Sequence, residues 1–444
     1  MRTDALNRLS EAVASVALPG ERLRISGTVT EVFPSHFHVA GLSPFLRLDD
    51  CVLLEQAGRA FHGQAIRIDR KGALVKSFES NAGLGLGARV TLQGPIQIAP
   101  HSSWKGRVVD ALARPIDEGG PLTQGERRGL NASPPSPMAR MRLSAPAPTG
   151  VAAIDAFAPL CLGQRIGVFA GSGVGKSTLL AMIARSRIFD AAVICLVGER
   201  GREVRDFLDE ALGASASNAV IVVSTSDESP MMRRLAPLTA MSIGESFRDQ
   251  GQSVLLIMDS VTRYAHALRE IALSAGEPPA ANGYAPSVFA DLPRLLERAG
   301  PGSEGAGSMT AIFSVLIDGD NHNDPVADCI RGTLDGHIVL ERSIAEQGRY
   351  PAIDILKSIS RVADRVWRPQ EREMISKARG LVAKFEDTRD LRLLGGYRSG
   401  ADPELDRAIG VTPLIYDLLR QASDAPPASD IVARLDAMLR QFTE

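Results

Sequence analysis

The order of apolar and polar positions divides the chain into four stretches. Over residues 3–18, Leu6, Leu9, Val13 and Val16 recur at helical spacing with small or polar residues between them. This predicts one amphipathic helix, closed by Pro19-Gly20. Its apolar stripe either packs on its own domain or docks a partner. From Arg22 to about Pro95 the period shortens. Runs such as Leu23–Phe33, Phe45–Glu55, Gln64–Asp69, Ala73–Phe78 and Arg89–Leu92 are separated by turn residues at short intervals, the pattern of a small β-barrel. His36 and His38 alternate on one further strand and read as surface residues. Gly83-Leu-Gly-Leu-Gly87 lacks the following helix that a dinucleotide site requires and reads as a loop.

Residues 133–148 hold five prolines and predict an extended connector over a surface. Beyond it, strand-like runs (Arg165–Phe169, Ala191–Val197, Ala219–Ser224, Ser253–Met258, Met309–Ile317) alternate with helical ones (Lys176–Arg187, Glu203–Leu212, Arg233–Gln250, Val288–Ala299). That alternation implies a mostly parallel sheet flanked by helices. From about Glu371 the pattern turns helical, and Ile431, Leu435, Met438, Leu439 and Phe442 share one face of the last segment. The expected architecture is α/β, with a small N-terminal β-barrel and a C-terminal helical domain. The expected divisions are 1–20, 21–95, 96–370 and 371–444.

The chemistry is announced by Ala170-Gly-Ser-Gly-Val-Gly-Lys-Ser177, between a predicted strand and a predicted helix, which is the context of a P-loop. Gly171, Gly173 and Gly175 let backbone N–H groups turn inward, with Ser172 and Val174 between them, and the helix N-terminus favours an anion. Lys176 supplies charge to the β- and γ-phosphates of ATP, and the Ser177 hydroxyl, next to Thr178, is placed to ligate Mg²⁺. Ala170 stands where the strict pattern has glycine. Ser253-Val-Leu-Leu-Ile-Met-Asp259 reads as the second nucleotide strand, ending in a carboxylate that holds the Mg²⁺ water shell. Glu199, just past another strand, faces the same edge and is the candidate to orient the attacking water; the alternative is a surface ion pair with Arg200. Arg361 and Tyr350 are, from spacing alone, a loop arginine and either a stacking platform or core.

Composition narrows the setting. The 444 residues suggest about three domains. With 44% apolar and 23% charged residues, disorder, collagen-like and coiled-coil architectures are excluded. A net charge of −2 gives no global basic field for nucleic acid or membrane. No apolar run approaches the roughly 18 residues of a membrane span, and Ala12–Leu18 is too short for a secretory signal. Cys51, Cys161, Cys195 and Cys329 form no Cys-x-x-Cys pair and read as reduced thiols of a cytosolic protein.

The stretch from about Gly106 to Arg361 resembles the α/β-subunit family of rotary ATPases, which has a RecA-type core. Pro351–Ser360 fits that family's signature, and Gly198-Glu-Arg-Gly-Arg-Glu203 resembles its catalytic-subunit motif. The nearer resemblance is to the flagellar type III protein-export ATPases, through Met258-Asp-Ser-Val-Thr-Arg-Tyr264, Gly276-Glu-Pro-Pro-Ala280, Leu334-Asp-Gly-His-Ile338, Gly396-Tyr397 and Asp402-Pro-Glu-Leu-Asp406. Asn282-Gly-Tyr-Ala285 departs from it, where the family usually has a basic residue and a second proline. The resemblance implies that Glu199 polarises the water, Arg200 sits beside the γ-phosphate, Glu203 and Asp259 hold the Mg²⁺ shell, Tyr350 stacks on adenine, and Arg361 is a finger reaching a neighbour's site. P-loop, Glu199 and Arg361 occur in one polypeptide, so the implied assembly is a ring of identical subunits, a hexamer by resemblance.

The activity expected is ATP hydrolysis that energises export of flagellar proteins. Expected partners are a cytoplasmic regulator at the N-terminal helix, a stalk, a membrane export gate, and export substrates with their chaperones. No nucleic acid is expected, and the expected location is the cytoplasm, at the inner face of the inner membrane. The rival readings are the ATPase of virulence type III secretion, a non-catalytic ring subunit, and a hexameric RNA translocase. The last would need stacking aromatics on the barrel, for which Phe37, Phe45 and Phe61 are the candidates.

Overall fold

A computed structural model describes residues 24–56, 58–143, 145–317 and 324–442. The expected helix over 3–18 lies outside the described residues. The chain divides into two compact units between Ile96 and Gln97.

In the first unit, six antiparallel strands close into a barrel: Ser26–Val32, His36–Ala40, Asp50–Gln56, Arg59–Ile68, Ala73–Ser77 and Arg89–Pro95. Strict alternation builds the interior. Phe37 and Val39 point inward between half-buried His36 and His38, and Val52 and Leu54 do the same on the next strand. Register breaks at Val29/Glu31, Cys51/Val52 and Ala65/Arg67 supply the bends that closure demands. The run expected from Phe45 becomes a strand only at Asp50. The Asp50 carboxylate accepts from Arg47 N (2.8 Å) and Asp49 takes φ +70°, so a turn occupies the first half of that run. Of the stacking candidates, Phe37 and Phe61 are core residues and Phe45 is exposed.

The second unit holds a nine-stranded sheet among the described residues. Its main order is Ile359–Ser360, Gly336–Leu340, Arg165–Ala170, Ser308–Leu316, Ser253–Asp259, Ala191–Glu199, Ala219–Thr225 and Val108–Asp110. All neighbours on this path are parallel except the pair formed by Ile359–Ser360, and Gly300–Pro301 adds a short antiparallel partner to Ser308–Leu316. The central strands are buried almost end to end, as a sheet covered on both faces requires. The helix Pro230–Asp249 starts on Ser229, whose hydroxyl accepts from Met232 N, with proline at its first position. A helix not anticipated from sequence, Val261–Ser274, starts directly after Asp259 on a Ser260 cap.

The C-terminal helices Pro369–Asp387, Pro403–Leu419 and Ile431–Arg440 do not form a separate core. Ile375, Ala378, Val382, Val411, Ile415, Ile431 and Leu435 belong to one buried cluster with Leu179, Leu180 and Ile183 of the Lys176–Ala184 helix. A tie reinforces this packing. Gln421 donates from its backbone N to Tyr350 O (2.9 Å) and from Nε2 to Gly150 O (2.9 Å), and Arg185 donates to Ser423 O.

Candidate functional site

Strand Arg165–Ala170 passes directly into the loop Gly171–Gly175 and helix Lys176–Ala184. Gly173 (φ +77°) and Gly175 (φ +91°) take conformations that side chains rarely adopt, yet an added Cβ at Gly173 would meet nothing within 4 Å. Glycine is needed here for the turn of the backbone and not for room. The helix begins on Gly175 without a side-chain cap, which leaves its first N–H groups open to an anion.

Lys176 forms an ion pair with Asp259, the last residue of its strand, and the two side chains are 10% and 4% exposed. The lysine expected to meet phosphate is thus held by the neighbouring carboxylate. Asp259 Oδ1 also accepts from Ser314 Oγ at 2.8 Å.

Glu199 reaches this edge through a local irregularity. Val197 pairs with Ser224 and Glu199 with Thr225, so Gly198 is skipped in the register. Without the skip, two-residue alternation would put Glu199 on the opposite face from Leu196; with it, both line one cavity. Gly198 has φ +66°, and a Cβ there would meet Arg263 Cδ at 2.9 Å, so glycine is required twice over. Arg263, from the unanticipated helix, holds Glu199 (Nε to Oε1 3.4 Å) and donates to Gly198 O. Burial, the Asp259 charge and a hydrogen bond with Glu203 together push Glu199 up to about 7. The same hydrogen bond, accepted by Glu203, holds Glu203 below the usual carboxylate range.

A cavity of about 390 Å³ joins these groups. Ser177, Thr178, Glu199, Glu203 and Asp259 line it, with Ser423 and Asp424 from the C-terminal segment at its margin. The donor set fits the expected ligands. Among the described residues no three His, Cys, Asp or Glu side chains converge as a metal cage. Ser177 with one or two carboxylates is the sparse set that suits a Mg²⁺ carried in on phosphate oxygens.

Three expected residues stand apart. Arg200 is 79% exposed and pairs with Glu203 at 3.2 Å, not with Glu199. Tyr350 borders a second cavity, of about 270 Å³, and approaches the P-loop at Gly175, where a Cβ would lie 3.8 Å from its ring. Arg361 lies at the opposite edge of the sheet. It donates its backbone N–H to Asp335 O (2.9 Å), and Asp335 in turn donates to Arg165 O, level with the first residue of the strand that ends at Ala170. Roughly 16 Å of strand separates it from the P-loop of its own chain.

Sequence reasoning missed Arg263 as a partner of Glu199, although it lies four residues after Asp259 on a helix. It also missed Arg342, which donates to Ser172 O at 3.1 Å.

Residues 150–360 match the ATP synthase alpha/beta family, nucleotide-binding domain, and residues 367–437 match the T3SS EscN ATPase C-terminal domain. The chain is 52% identical over 98% of its length to the flagellum-specific ATP synthase of Agrobacterium fabrum, covering 92% of that protein. It is 42% identical over 90% of its length to the type 3 secretion system ATPase of Xanthomonas euvesicatoria, again covering 90% of it. The solved structure of the assembled ATPase EscN from the enteropathogenic E. coli type III secretion system superposes with a TM-score of 0.87 at 39% identity, covering 94% of this chain and 100% of that one. EscN in complex with its central stalk EscO gives 0.85 at 38% identity, with the same coverage.

Proposed function

The chain belongs to the ATP synthase alpha/beta family, among the flagellum-specific ATP synthases, and on that premise we propose that it hydrolyses ATP to energise export of flagellar proteins through the flagellar type III apparatus. The observation that carries the reading is one cavity lined by P-loop, Glu199 and Asp259 in a chain 52% identical to a flagellar relative. The virulence branch remains compatible, but its relative from Xanthomonas is less similar, at 42%.

In this reading the backbone N–H groups of Gly171–Lys176 cradle the phosphates, and Lys176 leaves Asp259 to meet them. Ser177, Asp259 and Glu203 hold Mg²⁺, which supplies neutralising charge to the phosphate oxygens when bound. Glu199, buried and held by Arg263, orients the water and takes its proton. Its raised proton affinity suits a base working near neutral pH. Tyr350 stacks on the base beside Gly175. Arg200 sits beside the γ-phosphate, and Arg361, exposed and too far from its own P-loop, reaches the next subunit's site. A ring of identical subunits follows, six by family resemblance, with a central stalk as in the EscN–EscO complex.

The segment over residues 3–18, with Leu6, Leu9, Val13 and Val16 at helical spacing, docks a cytoplasmic regulator, while export gate, substrates and chaperones meet the ring at the cytoplasmic face of the inner membrane. Among the described residues no helix is long and apolar enough to cross a membrane. Phosphate release by the purified protein, absent in Lys176→Ala, tests the activity. Restored motility in cells lacking their own flagellar export ATPase tests the branch, and restored virulence secretion without motility would reverse it.

A further inference from the structure

Strand Ser308–Leu316 runs between the P-loop strand and the strand ending in Asp259. Ser314 stands opposite Val168 on one side, one residue past the pairing of Phe313 with Met258 on the other. Its neighbours in the strand are apolar, and it is wholly buried. A hydroxyl in such a run has to find a partner, and Ser314 Oγ finds Asp259 Oδ1 at 2.8 Å. The same oxygen receives the Lys176 ammonium. Two residues further on, Leu316 N donates to Thr262 Oγ1 at 2.9 Å, which joins this strand to the helix that follows Asp259.

The shared oxygen creates a problem during turnover. When Lys176 turns to phosphate, Asp259, only 3% exposed, loses its cationic partner. A buried carboxylate with no remaining donor would swing or be displaced. We propose that Ser314 is a positioning residue for the reaction: its hydroxyl holds Asp259 in place after Lys176 departs, so that the carboxylate is already aimed when the metal-bound nucleotide arrives. The proposal rests on the reading of Asp259 as part of the Mg²⁺ shell. Ser314 itself touches neither substrate nor metal.

The test uses the full chain, with ADP as probe so that turnover does not interfere. ADP affinity is measured in EDTA and in Mg²⁺ for wild type, Ser314→Ala, Ser314→Thr and Asp259→Asn, together with the thermal midpoint of the nucleotide-free proteins and kcat and KM for ATP. A hydrogen bond to a buried charge predicts that Ser314→Ala loses about tenfold of the Mg²⁺-dependent tightening. Its affinity in EDTA and its midpoint should match wild type, kcat should fall more than KM changes, and Ser314→Thr should restore Mg²⁺ dependence. Full Mg²⁺-dependent tightening in Ser314→Ala, with its loss in Asp259→Asn, overturns the proposal and leaves the Asp259 reading intact. Full tightening in Asp259→Asn removes both. A fall in affinity with and without Mg²⁺, with a lowered midpoint, assigns Ser314 a structural role only. Failure of Ser314→Thr to rescue, at an unchanged midpoint, removes the hydroxyl from the explanation.

Discussion

The two edges of the central sheet are built on opposite plans. At the edge where the strands end, Lys176, Asp259, Ser314, Glu199, Glu203 and Arg263 satisfy one another through ion pairs and hydrogen bonds, mostly out of water. At the edge where they begin, Arg361 is exposed, held only through its backbone, and its guanidinium has no carboxylate partner among the described residues. A group built into its own subunit's site would be buried and paired like the first set. On the proposed reading, phosphate binding and water activation are assembled within one chain, whereas Arg361 is presented outward, to a neighbour.

The comparison breaks most sharply at Arg361. Arg361→Ala should bind ATP as wild type and lose about 10³ to 10⁵ in turnover, the range of arginine fingers in phosphoryl transfer. Mixed with Glu199→Gln it should regain partial activity, because some interfaces then pair an intact Glu199 with an intact Arg361. Activity of wild type that stays linear in protein concentration down to the monomer range would remove the outward role. Glu199→Gln alone should keep nucleotide binding and lose about 10² to 10³ in kcat, the scale of removing one preorganised transition-state group. Single-turnover phosphate release on that variant checks the chemical step.

A smaller effect is expected at Arg263, which touches Glu199 but not the phosphate-binding loop. Arg263→Met should cost about tenfold in kcat, as loss of a charge-assisted hydrogen bond would. ADP affinity should be little changed; a tenfold loss there as well would place Arg263 on the phosphates instead.

The smallest effect is on stability. Folding raises Glu199 from 4.5 to about 7, so the folded state binds that proton more tightly than the unfolded one. The resulting stabilisation is complete below the unfolded value and is lost as pH rises towards 7. Glu199→Gln removes that loss while its amide can still donate to Glu203. The nucleotide-free variant should therefore gain about 1–3 °C in midpoint over wild type on going from about pH 5 to pH 8. A constant difference across that range would mean that folding does not raise the proton affinity of Glu199.

Much of this was legible in the chain. The loop Gly171–Gly175, the strand ending at Asp259 and the alternation of the sheet all follow from short-range rules, since glycine, apolar runs and helix starts act on their own neighbours. The side of the sheet taken by Glu199 does not follow. Counting by twos from Leu196 puts it on the wrong face, and only the skipped Gly198 corrects it. Arg263 and Ser314 were missed for a related reason. Each is an ordinary residue in its own segment and gains its role from a partner more than fifty residues away. The helix Val261–Ser274 is hard to see in sequence because its first residues run on from the Asp259 strand without a break, although Val261, Leu268 and Ile271 mark its buried side. The C-terminal helices were legible as helices. Their membership of the same core as the P-loop helix was not, because it depends on tertiary contact alone.

The tie made by Gln421 joins that shared core to the wall of the cavity. One side chain and its backbone grip both Tyr350 and Gly150, two residues further on Ser423 is held by Arg185 of the P-loop helix, and Ser423 and Asp424 form part of the cavity wall. The last helices thus hang from the nucleotide cavity as a lever hangs from its fulcrum. Coupling of this kind runs both ways and with equal strength. A ligand that gripped those helices would be linked to a nucleotide in the cavity by as much free energy as it spent in shifting this shared wall, and no more.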